Sequence, residues 1–89
     1  MSVARATLVL PRMLHESVGA ARLRVEGRTL GEALEDAYRR SPALRLHLCD
    51  DDGSFRVHVL CFHNGERRPL GTALADGDEI SIVQAVSGG

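Results

Sequence analysis

An α+β fold, with one amphipathic helix laid across a mixed sheet of four to five strands, is what the residue pattern of this 89-residue chain predicts. Three observations carry that expectation. Residues 29–40 repeat apolar side chains with a helical period, so one stripe of the helix must lie on something apolar. Short runs rich in β-branched and aliphatic residues flank it on both sides, separated by turn residues. The first and last of these runs, 3–10 and 79–86, are both strongly apolar, which suits two strands side by side at the centre of a sheet. In the order β-β-α-short helix-β-β-β, that arrangement is a ubiquitin-like β-grasp.

Residues 3–10 form the first strand, closed by Pro11, which cannot donate to a sheet ladder. RMLHESVGA, residues 12–20, has no clean period and reads as a loop. Residues 21–26 alternate Leu23 and Val25 against Arg22 and Arg24, as a half-buried second strand does, and Glu26-Gly27-Arg28 turns the chain. Thr29-Leu30-Gly31-Glu32 has capping-box spacing: the threonine hydroxyl can accept from the Glu32 amide while Glu32 reaches back. Leu30, Ala33, Leu34, Ala37 and Tyr38 make the apolar stripe, and the pairs Glu35/Arg39 and Asp36/Arg40 have the favourable four-residue spacing. Ser41-Pro42 ends this helix. Leu44, Leu46 and Leu48 then alternate as a strand would, but Pro42 suits the first position of a new helix, and a short helix over 42–49 is expected.

DDDGS is a turn. Its acidic residues do not occupy alternate positions ahead of the glycine and no glutamate closes it, so it is not a calcium loop. Residues 55–63 read as a strand ended by Asn64-Gly65, the strongest short hairpin signal. Residues 67–70 can return briefly, Asp76-Gly77-Asp78 turns again, and 79–86 is the last strand. One β-grasp domain over 1–86 with a flexible Gly-Gly tail at 87–89 is therefore expected.

Apolar residues at 44% and charged ones at 26% argue against disorder, and a net charge of −1 leaves no basic stripe for nucleic acid. No apolar run is long enough to span a membrane, and the opening segment, broken by Pro11, does not fit a secretory leader. Cys49 and Cys61 lack CxxC or framework spacing, so a cytoplasmic protein with reduced thiols is expected. Together with His15, His47, His58 and His63 they do not make the closely paired ligand set of a zinc site. Nothing marks an oxyanion hole for a Cys-His nucleophile, and no glycine pattern fits a phosphate loop. The expectation is a chain with no catalytic residues, no metal and no cofactor: a protein co-substrate rather than an enzyme.

Two features point outward instead. In VHVLCFHN, if Val57, Val59 and Cys61 face the helix, then His58, Leu60 and Phe62 face away, and Leu60 beside Phe62 makes an exposed apolar patch of the kind that marks a protein contact. The last strand, moreover, runs into Val86-Ser87-Gly88-Gly89. At about 7% glycine usage, a terminal pair arises by chance in about 0.5% of chains. Without a Cβ, Gly88-Gly89 can thread a narrow channel, and from Ser87 onward the chain reaches roughly 10 Å. That length carries a terminal carboxylate from a rigid body into another protein's active site. A carboxylate is inert until activated, so an adenylating partner must bring the ATP chemistry, after which the acyl group can take sulfur as a thiocarboxylate.

LPRMLHESVGA, TLGEAL, LCDDDGSFRVHVLCFHNGE and DGDEISIVQAVSGG together resemble the MoaD/ThiS family of sulfur-carrier proteins, nearest the MoaD-like branch that includes the CysO carriers. The resemblance implies that Gly89 carries the acyl adenylate and then the thiocarboxylate, and that Val86, Ser87 and Gly88 thread the partner's active site. It implies an ATP-dependent partner resembling ubiquitin-activating enzymes, a sulfur donor, and a downstream acceptor synthase of a molybdopterin-, cysteine- or secondary-metabolite-type pathway. Thiamin carriers of the family are usually shorter, without this long loop and second helix. Gln84 stands where the branch commonly has proline, which should loosen the tail's entry; His63 stands where it commonly has an aliphatic residue and reads as a tolerated strand-end residue. Two other readings stay open: a protein modifier joined to lysine through Gly89, and a β-grasp interaction module with an inert tail.

Overall fold

In the computed structural model, which describes residues 2–85, alternation along β1 (Ala4–Val9) buries Ala4, Ala6 and Leu8 and turns Arg5, Thr7 and Val9 to the opposite face. The other strands are β2 (Arg22–Gly27), β3 (Val59–His63) and β4 (Glu79–Gln84), in the spatial order β2-β1-β4-β3. β1 pairs β2 antiparallel and β4 parallel, so the first and last strands lie side by side at the centre. This is the ubiquitin-like β-grasp.

The helix α2 (Leu30–Arg40) packs its stripe onto the inner face of the sheet, where Leu8, Val25, Leu30, Leu44, Leu48 and Ile80 are fully buried. Each such side chain contributes roughly 1.5–3 kcal/mol by leaving water. At the helix start the Thr29 hydroxyl accepts from the Glu32 amide at 3.2 Å, and Glu32 reaches back to the Arg28 amide, one residue before the cap, at 2.9 Å. α3 (Pro42–Leu48) follows with Pro42 in its first turn.

Four expectations need correction. The loop over 12–20 holds a 3-10 turn (Arg12–Leu14) and the one-turn helix α1 (His15–Val18), fixed by the buried Leu14 and by His15, whose Nε2–H donates to the Leu10 carbonyl at 2.9 Å. The strand begins at Val59 rather than at 55, because Phe55 bridges back to Cys49 and the chain then turns, leaving Val57 86% exposed instead of facing the helix. Residues 67–70 are not a strand. Leu70, with Thr72 just beyond it, instead serves the helix: the Leu30 and Gly31 amides, which have no partner inside α2, donate to the Thr72 and Leu70 carbonyls at 2.9 and 2.8 Å. Among the ion pairs, Asp36–Arg40 forms as expected, but Glu35 pairs with Arg45 at 2.9 Å while Arg39 joins Asp36 at 3.2 Å.

Asp36 explains how the β2 edge is closed. It is buried, yet its carboxylate accepts from Arg40, from Arg39 and from the backbone amide of Glu26 on the edge strand, the last at 2.9 Å. Burial works to raise its pKa, but these donors outweigh it and hold it below the usual carboxylate range. The helix can approach β2 this closely only because residue 27 is glycine: a Cβ there would stand 2.6 Å from the Ala33 amide nitrogen.

Candidate functional site

The outer face of the sheet is assembled by strand register. On β3, Val59, Cys61 and His63 turn inward, so Leu60 and Phe62 turn outward. The β3–β4 register sets Leu60 opposite Val83 and Phe62 opposite Ser81, and the β1–β4 register sets Val9 beside Ser81. Val9, Phe62, Leu60 and Val83 thus share one apolar area towards the end where β4 finishes. Leu60 and Phe62 are half-buried rather than openly exposed; Val83, at 42% exposure, is the most open member of the area. Val9 and Val83 are the members that the sequence reading missed, and the alternation along 4–9 and 79–84 is the signal that could have found them.

His58 sits just before β3, exposed, and its carbonyl accepts from the Ala85 amide at 2.8 Å. That bond is the last described hold on the chain beyond β4. The site thereby places His58 and Leu60 at the root of the terminal segment. Val86, Ser87, Gly88 and Gly89, the residues expected to thread a partner, lie outside the described residues. Gln84 points inward at the same root, half-buried, with no partner for its Oε1 among the described residues.

His63 is not a surface residue. It is 5% exposed, and its Nε2–H donates to Asp78 Oδ2 at 2.7 Å. Asp78 also accepts from the Ala75 amide and from Asn64 Nδ2, while Asn64 Oδ1 accepts from the Glu79 amide at 2.8 Å. Burial pushes the Asp78 carboxyl up, but these three donors outweigh it and bring it to about 2. The cluster rivets the hairpin to the entry of β4. The hairpin itself turns through Asn64 at φ 50° and Gly65 at φ 84°, the paired left-handed angles of a type I′ turn. Cys61 shares the inner face with His63, but burial pushes its thiol up to about 11, so it stays protonated at neutral pH.

A groove of about 1030 Å³ lies elsewhere. Val3, Gly27, Thr29 and Leu70 are among its lining residues, which places it by the start of β1, at the opposite end of the sheet from Ala85. Its charged groups are largely spent on one another, Arg28 with Glu32 and Arg39 with Asp36. Among the described residues, no helix is long and apolar enough to cross a membrane.

A ubiquitin-like β-grasp whose central last strand leads into a Gly-Gly sequence defines the class of small modifiers and sulfur carriers. The sequence pattern of the ThiS family matches residues 10–89, and the chain belongs to that family. It is 38% identical over 79 residues to small archaeal modifier protein 1 of Haloferax volcanii, spanning 85% of this chain and 91% of that protein. The crystal structure of that relative superimposes with a TM-score of 0.86 at 35% identity, covering 97% of this chain and all of the other. CysO of Mycobacterium tuberculosis superimposes with a TM-score of 0.78 at 28% identity, over 91% of this chain and 99% of that one. A chain of the BexX/CysO complex of Amycolatopsis orientalis has the same fold, with a TM-score of 0.79 at 24% identity over 94% of this chain and 99% of that one.

Proposed function

We propose that this chain is a sulfur carrier whose Gly89 carboxylate is activated by a partner and converted to a thiocarboxylate. The observation that carries the reading is that the family pattern matches residues 10–89, a range that includes Gly88-Gly89. In the proposed step the Gly89 carboxylate attacks the α-phosphorus of ATP in an adenylating enzyme of the ubiquitin-activating kind, and pyrophosphate leaves. Sulfide-level sulfur from a separate donor then displaces AMP to give the thiocarboxylate, whose sulfur attacks the substrate of an acceptor synthase, and water releases it by restoring the Gly89 carboxylate. The chain's own residues do no bond-making beyond offering that carboxylate. Leu60, Phe62 and His58 would contact the partner while Val86, Ser87 and Gly88 pass into its active site. Family membership supports the reading, as does a β4 root held by His58.

A second reading has a specific observation in its favour: a relative with 38% identity is named a modifier. Conjugation shares the adenylation step and differs only in the final nucleophile, a lysine amine in place of sulfur. Incubation with an adenylating enzyme, ATP and a sulfur donor, followed by intact mass measurement, separates the two. An oxygen-to-sulfur exchange supports the carrier; a ladder of heavier amide-linked adducts without that exchange supports the modifier; an unchanged mass sinks both.

A further inference from the structure

The outer face of the sheet carries a second feature beside its apolar area. On β2, Leu23 and Val25 turn to the core, so Arg22 and Arg24 turn outward on an edge strand. The β1–β2 register places Arg24 beside Thr7 and Arg22 beside Val9. The two arginines and Thr7 line a shallow recess of about 360 Å³ on this face. Arg22 therefore stands in one row with Val9, Ser81 and Phe62, across the whole width of the sheet.

The other cations of the chain are mostly neutralised at home. Arg5 pairs with Glu26, Arg28 with Glu32, Arg39 and Arg40 with Asp36, Arg45 with Glu35, Arg56 with Asp50, and Arg68 with Glu66. Neither the Arg22 nor the Arg24 guanidinium has an ion-pair or hydrogen-bond partner among the described residues. Arg12 and Arg67 also have none there, but they stand singly and off the sheet. The carboxylates of the outer face are Glu26, tied to Arg5, and Glu79, which is set opposite Thr7 and accepts from the Ser81 hydroxyl. Glu26 lies towards the start of β1, while Glu79 shares the Thr7 row with Arg24 across the sheet. The next row, Arg22, Val9, Ser81 and Phe62, holds a cation and no carboxylate. Like charges two residues apart on one strand face gain nothing for folding.

We infer that this face docks a protein partner presenting an acidic surface opposite Arg22 and Arg24, alongside an apolar surface for Val9, Phe62, Leu60 and Val83. Charge complementarity names the occupant's chemistry: the chain as a whole is at −1, so a locally unneutralised cationic pair selects by position rather than by bulk charge. A nucleic-acid ligand would need more cations and fewer aliphatic groups. Exposed cations at a rim act mainly on the association rate, through steering that salt screens. The inference rests on the carrier reading for the choice of probe alone.

The test measures association of the full chain with an adenylating enzyme of the ubiquitin-activating kind, without ATP, between about 0.03 M and about 0.3 M salt. The wild-type association rate should fall about tenfold over that range. Arg22→Glu/Arg24→Glu should start about tenfold slower at low salt and lose most of the salt dependence, with Arg22→Gln/Arg24→Gln between them. Arg67→Glu, off the sheet, should behave as wild type. Equal rates for the wild type and the double variants, no association, or an equal loss in Arg67→Glu overturns the inference. Salt-dependent docking that needs both arginines, without any adenylation once ATP is added, leaves this surface standing and removes the carrier reading instead.

Discussion

Asp78→Asn probes the rivet that seats β4 beneath the hairpin. The Asp78 carboxyl lies at about 2 in the folded chain against an ordinary 3.8. At about 1.4 kcal/mol per pK unit, that gap amounts to about 2–3 kcal/mol. Water reaches 14% of the side chain and trims the figure to about 2 kcal/mol. Asparagine keeps a single acceptor oxygen where the Ala75 amide, Asn64 and His63 converge, and it turns an NH₂ towards one of those donors. Because the folded pKa lies below the unfolded one, the stabilisation is complete above about pH 4 and drains away as pH falls towards about 2. Urea unfolding followed by far-ultraviolet circular dichroism, from about pH 7 down to about pH 2, reads it directly. The variant should lose about 2 kcal/mol at neutral pH and converge on the wild type in acid. A loss under about 0.5 kcal/mol at neutral pH, or a gap undiminished in acid, refutes the reasoning.

Two other substitutions test separate parts of the account. Phe62→Asp places a charge on the outer sheet face, so it should raise the KM for adenylation about tenfold while costing under about 1 kcal/mol of stability; unfolding of the variant would mean that Phe62 belongs to the core. Gly27→Ala pushes a methyl into helix backbone 2.6 Å away, with no flexible side chain end to yield, and should cost about 2–3 kcal/mol by thermal denaturation. An unchanged midpoint would contradict the close seating of α2 on β2.

The parts of the fold legible in the sequence were those decided by neighbours along the chain. Thr29 and Glu32 sit three residues apart, and that spacing is sufficient for the cap at 3.2 Å. Asn64-Gly65 requires left-handed angles at both positions, which few other dipeptides accept. What stayed hidden was decided by partners distant in sequence. Residues 67–70 look like a brief return strand, but the amides of Leu30 and Gly31, unpartnered within α2, recruit the carbonyls of Thr72 and Leu70. Phe55 looks like the start of β3 until Cys49 takes it as a bridge partner. Asp36 was legible as a helix pair with Arg40 but not as the group that closes the β2 edge, because Glu26 is ten residues away and on another layer. His63 read as a tolerated strand-end residue, since nothing local announces that Asp78, fifteen residues on, will meet it at 2.7 Å. For the site, alternation along 59–63 named Leu60 and Phe62 correctly as outward, while Val83 and the arginines of β2 became its neighbours only through register.

The most direct measurement is localisation of sulfur on the loaded chain. After incubation with the adenylating enzyme, ATP and a sulfur donor, the protein is fragmented and its C-terminal peptide is sequenced by mass. The account predicts an oxygen-to-sulfur exchange confined to Gly89, abolished by deleting Gly89 without loss of the circular dichroism spectrum of the fold. Sulfur found instead on Cys49 or Cys61, or loading that survives the deletion, would contradict it.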